Sequence, residues 1–142
     1  AVTGVQTCAL PIYAEGSHHD VKVTVHGATS TEAAVAVARE VTRSNLVKTA
    51  IAGNDPNWGR ILAAVGCVPE DVAPYDPDAV DVSVNGIQVC RSGGIGDDRD
   101  LVDMNPREVH IDIDLHAGDA EAAMWTNDLT HEYVEENSAY TS

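Results

Sequence analysis

The stretch Leu46–Gly66, LVKTAIAGNDPNWGRILAAVG, decides the reading of the fold. Its first half, Leu46 to Ala52, is short and mostly apolar and ends at Gly53, which suits a buried strand. Asn54-Asp55-Pro56 then reads as a turn and helix start, with Asp55 as the capping side chain and Pro56 at the first helical position. From Trp58 to Val65 the apolar residues fall at helical spacing, and Gly66 offers a stop. The resulting strand–turn–helix gathers Lys48, Asn54, Asp55, Asn57 and Arg60 near one helix N-terminus. The partial positive charge and free N–H groups of such an end suit a carboxylate or another anion.

Upstream of this stretch, Val21-Lys22-Val23-Thr24-Val25 alternates as a half-buried strand does. Thr29-Ser30-Thr31-Glu32 has the spacing of a capping box, and Ala33, Ala34, Val37, Ala38 and Val41 form one apolar stripe behind it. The spacing predicts a helix over Thr31–Arg43. With the strand before it and residues 46–52 after it, this gives a βαβ-like unit.

Downstream, the segment from Cys67 to Ala79 carries Pro69, Pro74 and Pro77 among acids and reads as a solvated loop. Val80–Val84, Asn85-Gly86 and Ile87–Cys90 form a hairpin signal, because Asn-Gly suits a type I′ turn. The Gly-rich run from Ser92 to Asp98 lacks the Lys and the following helix of a phosphate loop and reads as a flexible loop. The run Glu108–His116, EVHIDIDLH, alternates, with Val109, Ile111, Ile113 and Leu115 toward the core. Ala117-Gly118-Asp119 turns the chain, so the segment from Glu121 to Thr126 is expected to pair back as the second arm of a long hairpin. Leu129 to Asn137 returns to helical spacing before a short polar tail. The fold class is α/β, a mixed α+β sheet with packed helices.

Several polar residues admit two readings. Lys48, internal to an apolar run, either pairs with a carboxylate or surfaces at an edge. Asn57, Trp58 and Arg60 either line a pocket or lock the turn by hydrogen bonding and stacking; a scaffold of that kind still orients a pocket. His18 and His19 have no third ligand at metal spacing. His110, Asp112, Asp114 and His116 share one strand face, but neighbours on it stand ~6.5 Å apart, so all four cannot converge on one ion. No metal is expected.

Composition narrows the class further. The formal net charge is −15, with two lysines (Lys22, Lys48) against 14 Asp and 9 Glu, 23 acids together. That balance argues against nucleic acid, whose phosphates need clustered Lys and Arg. Acids spread along the chain solubilise rather than focus a field. No apolar run approaches the ~20 residues of a membrane span. Cys67 and Cys90 lack motif spacing, give neither a disulfide framework nor a zinc site, and point to a reducing cytoplasm.

Two long runs carry a family resemblance. LVKTAIAGNDPNWGRILAAVG and the C-terminal WTNDLTHEYVEENSAYTS, Trp125–Ser142, resemble the bifunctional ornithine acetyltransferase (glutamate N-acetyltransferase) family of arginine biosynthesis. They come in that family's order, with the second run looking like the end of its β chain. The resemblance covers residues 14–142 and implies the C-terminal part of the ornithine acetyltransferase, or self-processing aminopeptidase-like, fold. It implies transfer of acetyl from N-acetylornithine to glutamate through an acetyl-threonine, in a precursor that cuts itself ahead of that Thr. It further implies an α chain from the same precursor, an α2β2 heterotetramer, and substrate contacts by Glu15 (in Glu15-Gly16), Asn137 and Ser142. Lys48, Asp55, Asn57, Trp58 and Arg60 become pocket scaffold. No cofactor is implied, and acetyl-CoA as a second donor is left open.

No threonine of this sequence stands in the Ala-Thr-Met-Leu setting of that nucleophile, so no catalytic residue is assigned here, and the chain alone is expected to be inactive. Val2–Ile12, VTGVQTCALPI, reads like a translated sequencing-adapter oligonucleotide, and it has neither the basic start nor the apolar length of a signal peptide. Residues 1–13 are therefore set apart from the domain at 14–142. Two readings of other classes are a related self-processing aminopeptidase or amidohydrolase, and a non-catalytic acidic α/β binding module.

Overall fold

The alternation of Val21, Val23 and Val25 with polar residues produces a central strand, and the rest of the chain is laid against it. In the computed structural model, which describes residues 6–8 and 18–129, seven strands and three α-helices are present. The strands are β1 (Gln6–Cys8), β2 (Asp20–Ala28), β3 (Asp81–Val84), β4 (Ile87–Arg91), β5 (Gly94–Ile95), β6 (Glu108–Asp114) and β7 (Ala120–Asn127). The helices are α1 (Thr31–Arg43), α2 (Asn45–Ala52) and α3 (Trp58–Val65). One mixed sheet runs in the order β1-β7-β2-β6-β3-β4-β5. The fold is thus a mixed α/β sheet with packed helices.

Register explains the core. β2 and β6 run parallel with Val21 opposite Val109, Val23 opposite Ile111 and Val25 opposite Ile113, all buried. Apolar alternation in both strands therefore points to one side, where each buried Val or Ile contributes about 1.5–3 kcal/mol over its exposed state. α1 packs across β2 and β7 and buries Ala33, Ala34, Val37, Ala38 and Val41, the stripe seen in the sequence. Its N-cap is Ser30, whose Oγ accepts from Ala33 N–H at 3.0 Å. The β3–β4 hairpin turns on Asn85 (φ 48°) and Gly86 (φ 84°), the two positive φ angles that a type I′ turn requires.

Three sequence expectations are corrected. Residues 46–52 belong to a helix, not a strand: Ser44 caps it by accepting from Val47 N–H at 3.2 Å, and Val47, Ala50 and Ile51 bury one helical face. The βαβ-like unit therefore does not form, and the parallel neighbour of β2 is β6. Nor is β7 the hairpin arm of β6. Leu115 N–H donates to His26 O (3.0 Å) and Ala117 N–H to Gly27 O (2.7 Å), which carries the chain around the end of β2. It returns antiparallel on the far side of that strand. Gly27 permits this close wrap: its φ is +66°, and a Cβ there would meet the Asp114 carboxylate and, at 2.8 Å, His116 N. Finally, Asp55 does not cap α3. Asn57 does, its Oδ1 accepting from Arg60 N–H at 3.1 Å.

Candidate functional site

Polar groups collect at the end of the sheet where β2 begins and β7 ends. Asp20, opposite Asn127 in the β2–β7 ladder, accepts from Asn127 Nδ2 at 3.0 Å and pairs with Arg107 at 3.3 Å. One residue outward on each strand, His19 and Asp128 meet. His19 Nδ1 lies 2.6 Å from Asp128 Oδ2, and His19 Nε2 lies 2.9 Å from the Met104 carbonyl oxygen. His18 N–H donates to Asp128 Oδ1 at 2.8 Å, and Asp128 N–H donates to His19 O at 3.2 Å. His19 is 5% exposed and Asp128 0%.

Both hydrogen-bond partners of the His19 ring belong to the protein. A carbonyl oxygen only accepts, so His19 Nε2 carries a proton toward Met104. Nδ1 faces the Asp128 carboxylate, so both ring nitrogens are engaged by groups of the protein. The ring is a clamp, joining the start of β2 to two segments that lie 85 and 110 residues further along the sequence.

Lys48 stands beside this clamp. Its carbonyl accepts from Leu129 N–H at 3.2 Å, which fastens α2 to the end of β7. Burial pushes the Lys48 ammonium below its ordinary range, against the opposing pull of the Asp128 carboxylate. Among the described residues, no hydrogen bond or ion pair engages that ammonium.

The other scaffold candidates sit apart from Lys48, at the α2–α3 corner. Asp55 accepts from Asn57 Nδ2 at 3.1 Å and pairs with Arg99 at 3.5 Å. Arg60 Nη1 donates to Leu46 O at 2.9 Å, bridging α3 back to α2. Trp58 is partly buried against the core and borders a hollow with Ile95, Asp98 and Arg99. An adjacent groove of 230 Å³ runs between the three helices past Arg43, Leu46, Arg60 and Cys67. Asp55, Asn57 and Arg60 thus spend their hydrogen bonds inside the corner.

His26 and His116 are each engaged by carboxylates. His26 bridges Glu121 and Asp112, each at 3.1 Å; burial lowers its pKa, but the two carboxylates outweigh this and raise it. His116, at φ 50°, bonds Asp81 at 2.6 Å, which raises its pKa. Among the described residues, no three His, Cys, Asp or Glu side chains form a group that could hold a metal ion. None of the described helices is long and apolar enough to cross a membrane. Glu15, Asn137 and Ser142 lie outside the described residues. The clamp itself is invisible in the sequence, since no spacing rule connects His19 with Asp128 109 residues later.

The molecule is a mixed-sheet α/β unit whose chemically equipped residues gather at one sheet end and one helical corner. The sequence profile of the ArgJ family matches residues 9–142, and the chain belongs to that family. It is similar to the arginine biosynthesis bifunctional protein ArgJ of Bifidobacterium longum, at 61% identity over 129 residues, 90% of this chain and 33% of that protein. The protein of the same name from Streptomyces coelicolor is 55% identical over 129 residues, 91% of this chain and 33% of that protein. The crystal structure of the arginine biosynthesis bifunctional protein argJ from Bacillus halodurans superposes with a TM-score of 0.79 at 31% identity, covering 89% of this chain and 60% of that one. The chain spans about a third of the length of the curated relatives it matches.

Proposed function

We propose that this chain is the C-terminal part of the β chain of a glutamate N-acetyltransferase of arginine biosynthesis, which moves acetyl from N-acetylornithine to glutamate. The observation that carries the reading is the family match over residues 9–142 on a fold that follows an ArgJ crystal structure at a TM-score of 0.79. In this reading the nucleophilic Thr lies upstream of Ala14, freed by self-cleavage, and its own α-amine is the base. Its Oγ attacks the acetyl carbonyl, the amine takes the hydroxyl proton, and collapse of the tetrahedral adduct expels ornithine with that proton. The α-amine of glutamate then attacks the acetyl ester, loses a proton and releases N-acetylglutamate and the free hydroxyl.

Glu15, Asn137 and Ser142 contribute the substrate contacts of this part. Lys48, Asp55, Asn57, Trp58 and Arg60 are scaffold of this part, Lys48 beside the sheet-end clamp and the other four at the α2–α3 corner. Partners are the α chain of the same precursor in an α2β2 assembly, in the cytoplasm, without a resident cofactor and with acetyl-CoA as a candidate second donor.

The test is to read the genomic DNA upstream of the Ala14 codon and to assay both the 142-residue chain and the complete precursor. An open frame with an Ala-Thr-Met-Leu site, acetyl transfer by the precursor and none by the chain alone are the expected results. A frame running intact through residues 1–12 to a start codon with no such site would sink the reading in favour of a binding module. Acetylornithine hydrolysis that ignores added glutamate would favour the amidohydrolase.

A further inference from the structure

We propose that the groove between the three helices and the turn beside it form one self-complementary surface, through which two copies of this chain pair about a two-fold axis. The groove, 230 Å³ in volume, is walled in part by Leu46, which is 61% exposed, and bordered by Arg43 and Arg60. Arg43 lies in the last turn of α1, and its guanidinium makes no hydrogen bond or ion pair among the described residues. Arg60 spends Nη1 on Leu46 O at 2.9 Å, which holds its charge at the border. Two of the eight cationic side chains of a chain with formal net charge −15 thus flank one largely apolar groove, where Glu40 is the acid. An uncommitted Arg beside an exposed Leu suits a partner that offers carboxylates next to an apolar side chain.

The same face carries that combination. Cys67 lines the groove and also a second hollow of 420 Å³ with Pro69, Glu70 and Tyr75, so the two are contiguous. The segment that follows is a tight turn: Val72 N–H donates to Pro69 O at 3.0 Å, and Ala73 N–H to the same oxygen at 3.1 Å. Val68 and Ala73 are buried at its ends, while Glu70, Asp71 and Val72 are exposed, Val72 by 43%. The turn therefore presents two carboxylates and one branched apolar side chain on a fixed backbone. Leu46 and Val72 are two of the four large apolar side chains exposed among the described residues. A two-fold axis near Cys67 sets the turn of each copy against the groove of the other, Glu70 and Asp71 toward Arg43 and Arg60, and Val72 toward Leu46. Such a contact needs both halves of the match on one surface; an unrelated acidic peptide would need the groove alone. Overall acidity repels copies of this chain, so charge favours their meeting at a face where opposite signs lie side by side.

The contact goes beyond the reaction assigned above and is tested without it, by sedimentation equilibrium of the 142-residue chain. A reductant keeps the exposed Cys67 from imitating the contact with a disulfide. The expected species is a dimer of twice the 15.0 kDa chain mass. Each substitution enters a two-fold contact twice, so Arg43→Glu should weaken dimerisation by at least about 10-fold. Glu70→Lys with Asp71→Lys should weaken it as much, although the chain becomes less acidic and non-specific association would strengthen. Joining all three substitutions in one chain restores opposite signs across the axis. That chain should bind itself at least about 3-fold more tightly than either partial variant does. A chain that stays monomeric up to about 1 mM overturns the proposal. So do a dimer indifferent to Arg43→Glu, a tighter dimer with the two lysines, and a triple variant without recovery. If circular dichroism shows that a charge variant has not folded, Leu46→Asp decides: weakening by at least about 10-fold supports the contact, and an unchanged dimer overturns it.

Discussion

Replacing Asp128 tests whether the His19–Asp128 clamp is held by its hydrogen bonds or by its charge. In Asp128→Ala, His18 N–H and His19 Nδ1–H lose their acceptors at 2.8 and 2.6 Å in a site where residue 128 is fully buried. Breaking a buried pair from one side costs about 3–5 kcal/mol. In Asp128→Asn the shape is kept, and the bonds can be kept too. The amide oxygen accepts from His18 N–H. A neutral His19, protonated only at Nε2 toward Met104 O, accepts at Nδ1 from the amide nitrogen. Only the charge assistance disappears, a loss of about 1–1.5 kcal/mol. Against a total stability of about 5–15 kcal/mol, the two variants separate clearly in urea unfolding of the purified chain followed by circular dichroism. Long-range ¹H–¹⁵N spectra of His19 in Asp128→Asn should show a proton on Nε2 alone. An Asp128→Asn variant as damaged as Asp128→Ala, or an Asp128→Ala variant within about 1 kcal/mol of the parent, would refute the reasoning.

Three further predictions concern the frame around the site. The Asp81 hydrogen bond raises the pKa of His116 above 6.5, so this contact contributes stability that is full below pH 6.5 and is lost as pH rises through the folded value. Burial pushes Asp81 up, but Ser92 N–H and His116 outweigh it and hold it below 3.8, so its contribution is present above that pH and fades as pH falls further. His116 is largely exposed, so solvent screening holds the gain under about 1 kcal/mol. Melting temperatures at pH 5.5 and 8.5 should therefore differ by a few degrees more in the parent than in His116→Gln. Ser30→Ala removes the cap on Ala33 N–H and should cost about 1 kcal/mol in urea unfolding. Ile113→Ala empties a fully buried position on β6 and should cost about 2–5 kcal/mol by the same measurement.

What the sequence made legible was whatever a short window of side chains determines. Helix α1, the hairpin at Asn85-Gly86 and the inward set Val109, Ile111, Ile113 and Leu115 each follow from local period and turn chemistry. Residues 46–52 read as a strand because the run is short and mostly apolar and stops at Gly53, a pattern that a buried helix shares. Val47, Ala50 and Ile51 stand at i, i+3 and i+4, and Ser44 before them is a ready N-cap, so the helical signal was present in eight residues. The placement of β7 was different in kind. Nothing in EAAMWT states whether it pairs with β6 or passes beyond it; that depends on β6 lying parallel to β2 and on Gly27 letting the chain wrap its end.

The candidate site shows the same division. Asp55, Asn57 and Arg60 are close in sequence and close in space, and their bonds within the corner make them a brace for α2 and α3. Lys48, drawn into that group by sequence proximity, faces away from it. Within α2, Leu46 and Thr49 present their oxygens to Arg60, and Lys48 is rotated from them toward Asp128. A strand reading would have put Lys48 on the same face as Leu46 and Ala50, so the helix assignment moves it to another side of the element. The correction of secondary structure is therefore also a correction of chemistry. It separates a corner whose polar groups satisfy one another from a lysine whose ammonium remains unmatched within the described residues.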